Sequence, residues 1–429
     1  MSFSEYLLGA VELALIAATL CFGAYYVRAL LVPSWSGAPA RLGEAILAIT
    51  GLIVVAEIAG VLGLFEPGVL VAGAAAAGLG AGGFARRHIG VPALPAPPAP
   101  PPGRLMLGAG VAVAALLVAH WAMPAQQALD VGMYSQDTVW YHMSFAGRFA
   151  QDSQVGPILI TDPLKVVSWF YPQNSELLHG VGISAFGHDN LSPLINLGWL
   201  ALCLLAAWCI GRPYGVAPLT LAAAALVLDT PMMVEQAGNA PSDTIALFFL
   251  LATVAILVNA DAAGRRADAN ALAGLGTGPV ILAGLAAGLA IGTKITLLAA
   301  IGALSVALLW LAKGTRPRFA WIWVVSIAIP SAFWYLRNLK QAHNPLPWVQ
   351  KGPLPGPDQL DLYPRKPHTV FHYLTDTGVW KDWFFPGLDD RLGPLWVVLL
   401  AAALGGLVLL ALRGRSPIQK VLALVGLVA

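Results

Sequence analysis

Charge is scarce in this chain: Asp, Glu, Lys and Arg make up 11% of its 429 residues and cancel to a net +2. Soluble domains carry roughly 25% charged residues, so an ordinary water-facing surface is excluded, as is a global field that would draw in nucleic acid. Cysteine is nearly absent. Cys21, Cys203 and Cys209 lie in apolar runs without metal-ligand spacing, which excludes a disulfide framework or a zinc site and leaves three small hydrophobes. No Walker-type Gly-rich loop occurs. The basic start and small-residue cleavage pattern of a signal peptide are also missing, so the first apolar run should persist as a helix.

Apolar length is abundant. The chain is 58% hydrophobic with 45 Gly and 32 Pro, and its mean hydropathy is +0.73. Runs of about 18 residues cross a hydrocarbon core of roughly 30 Å. Candidate spans are Tyr6 to Val32, Leu42 to Phe65, Gly68 to Ala85, Leu105 to Met123, Leu191 to Ile210, Val216 to Val234, Thr244 to Asn259, Phe319 to Leu336 and Leu392 to Leu412. Pro279 to Leu311 has basic residues on both flanks and so requires an even number of crossings, as two short spans or a re-entrant hairpin. Its break belongs at Gly292-Thr293-Lys294, where Gly loosens the helix and Lys cannot face lipid cheaply. The expected fold is all-α and polytopic, with about eleven crossings and interfacial helices in the first outer loop.

With the N-terminus outside, Arg28, Arg41, Arg86, Arg87, Arg104, Arg212, Arg265, Arg266, Lys313, Arg316, Arg318, Arg413 and Arg415 all fall on the cytoplasmic side. Residues 1–90 then form a three-helix extension, Val91 to Gly103 a Pro-rich cytoplasmic spacer, and 104–429 the main module. The apolar run Lys420 to Ala429 stops before it could span, as a truncated C-terminus would. The outside receives two large loops, Pro124 to Asn190 and Arg337 to Arg391, and the short turn Glu235 to Asp243.

Chemistry is concentrated on that outer side. Asp137 to Ala150 reads as an amphipathic interfacial helix, with Val139, Met143, Ala146 and Ala150 on its apolar stripe and Asp137, Tyr141, Ser144 and Arg148 opposite. Asp137 is either a general base at the membrane surface or an N-cap. Trp169, Tyr171, Asn174, Glu176 and His179 suit a sugar pocket or an interfacial aromatic belt. Asn239, Ser242 and Asp243 open the span after them, with Asp243 a natural cap. Lys294 and Arg337 are cations near the outer surface that call for an anion such as a lipid phosphate, or else snorkel to head groups.

Taken in order, Asp137 to His142 (DTVWYH), Tyr171 to Leu178 (YPQNSELL), Pro231 to Asp243, Gly288 to Thr296 (GLAIGTKIT) and Trp334 to Pro345 (WYLRNLKQAHNP) resemble the GT-C superfamily of polytopic membrane glycosyltransferases. Within it, the likeness is to bacterial relatives of dolichyl-phosphate-mannose protein mannosyltransferases and lipid A aminoarabinose transferases, over roughly Leu105 to Leu412. The resemblance implies inverting transfer from a polyprenyl-phosphate-linked sugar, on the extracytoplasmic side of a bacterial plasma membrane, to a glycan, lipid or protein acceptor. It implies Asp137 as catalytic base. Tyr141, His142 and Glu176 would shape the sugar pocket and Lys294 and Arg337 would hold the donor phosphate, with Tyr171, Asn174, Asp243 and Asn338 also in the substrate site. Such donors carry their own activation, so no cofactor is required. There is no clear ligand set for a divalent cation, an ion shared by Asp137 and Asp243 being the one arrangement left open. The competing expectations are a secondary transporter or flippase, against which a single helix interruption without a partner counts, and a non-catalytic membrane scaffold or a ligase-like handler of whole lipid-linked glycans.

Overall fold

A backbone immersed in hydrocarbon must satisfy its own N–H and C=O groups, and long apolar runs do so as helices. The computed structural model describes residues 2–90, 100–158, 166–266, 275–312, 316–347, 349 and 370–428, and every regular element among them is helical. α1 (Phe3–Leu31) opens on a capping box, in which the Ser2 hydroxyl accepts the Glu5 N–H at 3.3 Å and the Glu5 carboxylate accepts the Ser2 N–H at 2.6 Å. α2 (Ala38–Val61) and α3 (Pro67–His88) come next. α1 and α3 cross where a Cβ on Gly23 would stand 2.6 Å from the Gly78 carbonyl oxygen, so neither position admits a side chain at this approach. The spacer's residues 91–99 lie outside the described residues. The three helices before the spacer share one core with the helices after it: Phe65 packs beside Phe149, and the Val155 N–H donates to the Gly60 carbonyl at 3.1 Å.

α4 (Arg104–Val131) leads into a wide π-type turn, Thr138–His142, continued by α5 (Met143–Asp152) and, after a gap, α6 (Asn174–Phe186). α7 (Ser192–Gly211), α8 (Ala217–Leu228) and the single turn α9 (Pro231–Val234) precede α10 (Asp243–Arg266). The span expected over Val216 to Val234 stops at Leu228 because Pro231 holds Thr230 extended and cannot continue the helix. α11 (Thr277–Thr293), buried along nearly its whole length, and α12 (Leu297–Leu311) are separated by the break Lys294 to Thr296. α13 (Arg316–Ala328) and α14 (Ala332–Ala342) meet at 73°. The short α15 (Thr377–Val379) and α16 (Phe385–Leu392) lead to α17 (Trp396–Arg413) and α18 (Pro417–Val428).

Among the described residues seven helices are long and apolar enough to cross a membrane (α1 to α4, α7, α10 and α17), or eight if α13 and α14 count as one bent span. α8, α11, α12 and α18 are apolar but shorter, at 12 to 17 residues. The chain is thus a multi-pass helical membrane protein by helix length and composition. Alternating helix direction gathers the N-terminus of α10, the C-terminus of α11, the N-terminus of α6 and the start of α5 at one end. At the other end Arg28 bonds Glu44 at 2.9 Å and Arg318 bonds Thr277 at 3.3 Å.

Candidate functional site

The turn 235–243 is the platform on which the site is built. Asn239 accepts the backbone N–H groups of Tyr134 and Ser135, both at 3.0 Å, and donates to the Glu235 carbonyl at 3.0 Å. Gln236 accepts from the Thr244 N–H and hydroxyl at 3.0 and 2.9 Å, while Asn196 donates to the Gln236 and Asn239 carbonyls. Thr138 is drawn inward to accept the Ala240 N–H at 2.9 Å. That bond sets the face of the Asp137 helix. The buried positions are Thr138, His142, Phe145, Ala146 and Phe149, whereas Val139 is 56% exposed. The expected apolar stripe is therefore turned by about one residue, since buried hydrogen bonds to Thr138 and His142 outweigh the exposure of one valine.

Asp137 makes no capping bond; the Tyr141 hydroxyl, one turn on, donates to its Oδ2 at 3.2 Å. Burial, and then the charges of Asp137 and Glu176, push the Tyr141 phenol well above its ordinary range, so it stays a neutral donor. The Tyr141 ring lies 4.1 Å from that of His142 and meets Tyr171 edge-on at 6.1 Å. His142 Nδ1 lies 2.5 Å from Glu176 Oε1 with both side chains buried, so an N–H on Nδ1 donates to the carboxylate. One turn further, burial and the neighbouring His142 hold His179 down at about 3, a neutral ring at physiological pH. Glu176 Oε2 and His179 Nδ1 are buried without a partner among the described residues.

These groups close around a cavity of about 210 Å³, lined by Asp137, Tyr141, His142, Tyr171, Pro172, Glu176, Ser242 and the segment Thr293 to Thr296. Lys294 leaves the end of α11 in extended conformation and forms an ion pair with Asp243 at the start of α10. The anion that Lys294 calls for is thus met by the chain's own carboxylate. Lys294 lines the cavity; Asp243 does not.

Arg337, Asn338 and Asn174 do not line the cavity. The buried Arg337 guanidinium donates to Gln173 Oε1 and the Trp169 carbonyl at 3.0 Å, to the Tyr171 carbonyl at 3.3 Å and to Asn338 Oδ1 at 3.1 Å, and lies 4.9 Å from the Trp334 ring. Asn338 donates to the Phe170 carbonyl at 2.8 Å. Both hold the segment that carries Tyr171 into the cavity. Asn174 accepts the Trp334 indole N–H at 2.6 Å and donates to the Pro330 carbonyl at 2.9 Å. A Cβ on Gly292 would lie 2.5 Å from Asn174 Nδ2 and 2.6 Å from the Pro330 oxygen. Gly292 therefore serves close packing inside α11, and the hairpin breaks just after it, at Lys294 to Thr296.

Six of the ten anticipated site residues meet at the cavity, with Asp243 joined through Lys294. Pro172, Ile295 and Thr296 were not anticipated, because they carry no chemistry legible in isolation. Nor was the 2.7 Å couple between His120 and Asp229, residues 109 apart in sequence. Comparison with known proteins finds no matching family model, no matching curated protein and no matching solved structure.

Proposed function

We propose that this chain transfers a sugar from a polyprenyl-phosphate donor to an acceptor hydroxyl at the non-cytoplasmic face, with inversion. The observation that carries the reading is the cavity. It combines a carboxylate with an accessible face (Asp137), phenol rings, the His142–Glu176 couple and an ammonium, at one end of spanning helices where a lipid-linked donor and a water-borne acceptor meet. Its volume of about 210 Å³ lies below the roughly 300–1,000 Å³ of drug-sized ligand sites, which suits one sugar ring and argues against a whole glycan.

In the proposed step the acceptor oxygen attacks the anomeric carbon from the face opposite the phosphate, its proton passes to Asp137, and the bond from carbon to phosphate oxygen breaks. Tyr141, donating to Asp137 Oδ2, orients the carboxylate. Lys294 has three N–H donors, so it can keep Asp243 and still meet the departing phosphate. Arg337 acts at one remove, fixing Tyr171. No metal or nucleotide enters the step.

A second reading, transport of a lipid-linked or small polar substrate, rests on one observation. The hairpin break at Lys294 to Thr296 has a counterpart in the 73° bend between α13 and α14, where a single interruption was expected, and paired breaks are how transporters build midplane sites. The deciding experiment reconstitutes the full chain in proteoliposomes with a panel of radiolabelled polyprenyl-phosphate sugars and mixed acceptors. Release of unsubstituted polyprenyl phosphate with labelled product supports the transferase; passage of intact donor across the bilayer without cleavage overturns it in favour of the transporter.

A further inference from the structure

A second, larger opening lies at the far end of the bundle. α10 runs from Asp243, beside the cavity, to Arg265, 22 residues on and about 33 Å away at 1.5 Å per residue. There a space of about 860 Å³ separates α10 from α17; its walls include Tyr214, Arg265, Gly406, Leu410, Arg413 and Arg415. α17 has no buried residue along its 18 positions, so it stands off the body of the protein at this level. A gap between helices within hydrocarbon depth cannot be filled by water at low cost, because Gly406, Leu409 and Leu410 offer water no partner.

The polar end of the gap carries an excess of positive charge. Arg265 is held by Asp261, with 3.1 Å contacts from both Nε and Nη2. The side chains of Arg413 and Arg415 make no hydrogen bond or ion pair among the described residues. Tyr214 is fixed at the rim by Gln419, whose amide donates to its hydroxyl at 2.9 Å. Two uncompensated guanidinium groups above an apolar slot match one chemistry: a phosphate head with acyl chains beneath it.

We propose that the space between α10 and α17 is a binding site for an anionic phospholipid, its phosphate held by Arg413 and Arg415 with Arg265 alongside, and an acyl chain laid along Gly406 and Leu410. The occupant closes α17 onto the body. The proposal is independent of the sugar-transfer reading, since it uses no residue of that cavity.

The test is native mass spectrometry of the full chain, delipidated in detergent and titrated separately with phosphatidylglycerol, phosphatidylcholine of the same acyl length, and inorganic phosphate. Each arginine near a phosphate contributes about fivefold in affinity, so Arg413→Gln with Arg415→Gln should weaken phosphatidylglycerol binding about thirtyfold and abolish the preference over phosphatidylcholine. Gly406→Phe provides a second variant that leaves the arginines intact. A Cβ at Gly406 meets nothing within 4 Å, so the ring fills the slot and should remove binding of both lipids. Equal affinity for the two lipids in wild type, or phosphatidylglycerol binding unchanged in either variant, overturns the proposal. Binding of inorganic phosphate as tightly as of phosphatidylglycerol would assign the arginines to a soluble anion instead. A lipid-independent dimer with α17 at its interface would assign the slot to a second copy of the chain.

Discussion

Replacing Gly292 with Ala should loosen the helix junction behind the cavity. The new methyl would lie 2.5 Å from Asn174 Nδ2 and 2.6 Å from the Pro330 carbonyl oxygen, where real Cβ atoms keep more than 3 Å. Something must move, and neither neighbour is a flexible chain end. Asn174 is fully buried and bridges the Trp334 indole (2.6 Å) to the Pro330 carbonyl (2.9 Å). Overpacking of this kind costs about 1–3 kcal/mol, and lengthening one or both bonds adds about 0.5–1.5 kcal/mol each. The expected total is about 1.5–6 kcal/mol, against a gain of about 1 kcal/mol at most from better helix propensity. The assay is reversible unfolding in mixed micelles with rising dodecyl sulfate, with Gly302→Ala on α12 as control, since a Cβ there meets nothing within 4 Å. Gly292→Ala with a wild-type midpoint would refute the close approach of α11 to the bend between α13 and α14.

Arg337→Lys should cost about 2–4 kcal/mol in the same assay, because an ammonium cannot serve the acceptors now shared by one planar fork. Donor affinity should fall only together with stability, through the loosened Tyr171 segment; a selective loss of donor binding with normal stability would return Arg337 to the phosphate. Lys294→Met should reduce donor affinity, and adding Asp243→Asn should restore stability without restoring binding. Their coupling should be about 1 kcal/mol or less, since both side chains are about a third exposed, and recovery of donor binding in the double variant would contradict the role given to Lys294. His179 is held at about 3 in the folded chain against an ordinary value of 6.5, so the unfolded chain binds the extra proton between those limits. The stabilisation it reflects is complete above pH 6.5 and is lost on acidification, by up to about 1.4 kcal/mol per pH unit. Unfolding midpoints of His179→Gln should therefore fall less steeply than wild type between pH 6.5 and 5, and parallel curves would contradict the assignment.

The helical membrane class was legible because apolar length leaves a backbone no other way to pair its polar groups, and the ends of most long helices fell within a few residues of the apolar runs. Val216 to Val234 was misjudged because hydropathy does not register the geometric stop that Pro231 imposes. The Asp137 helix was read one residue out of register, since its buried face obeys long-range bonds from Ala240 and Glu176 and not its own apolar pattern. Asp137, Tyr141, Tyr171, Glu176 and Lys294 could be anticipated as polar or aromatic groups beside the ends of apolar runs. The task of Arg337 could not. A cation looks equally available in sequence whether it faces a ligand or is consumed by the carbonyls of Trp169 and Tyr171. Gly292 was legible as special, but for the wrong reason: contact with another helix leaves no local signature.

The central claim is that Asp137 takes a proton at a sugar-transfer site, and the most direct measurement is single-turnover transfer from labelled polyprenyl-phosphate sugar in proteoliposomes, wild type beside Asp137→Asn. The amide is nearly isosteric and can still accept from Tyr141, so donor binding should persist while the rate falls about 10²- to 10⁴-fold. Transfer by Asp137→Asn at a near wild-type rate would contradict the account.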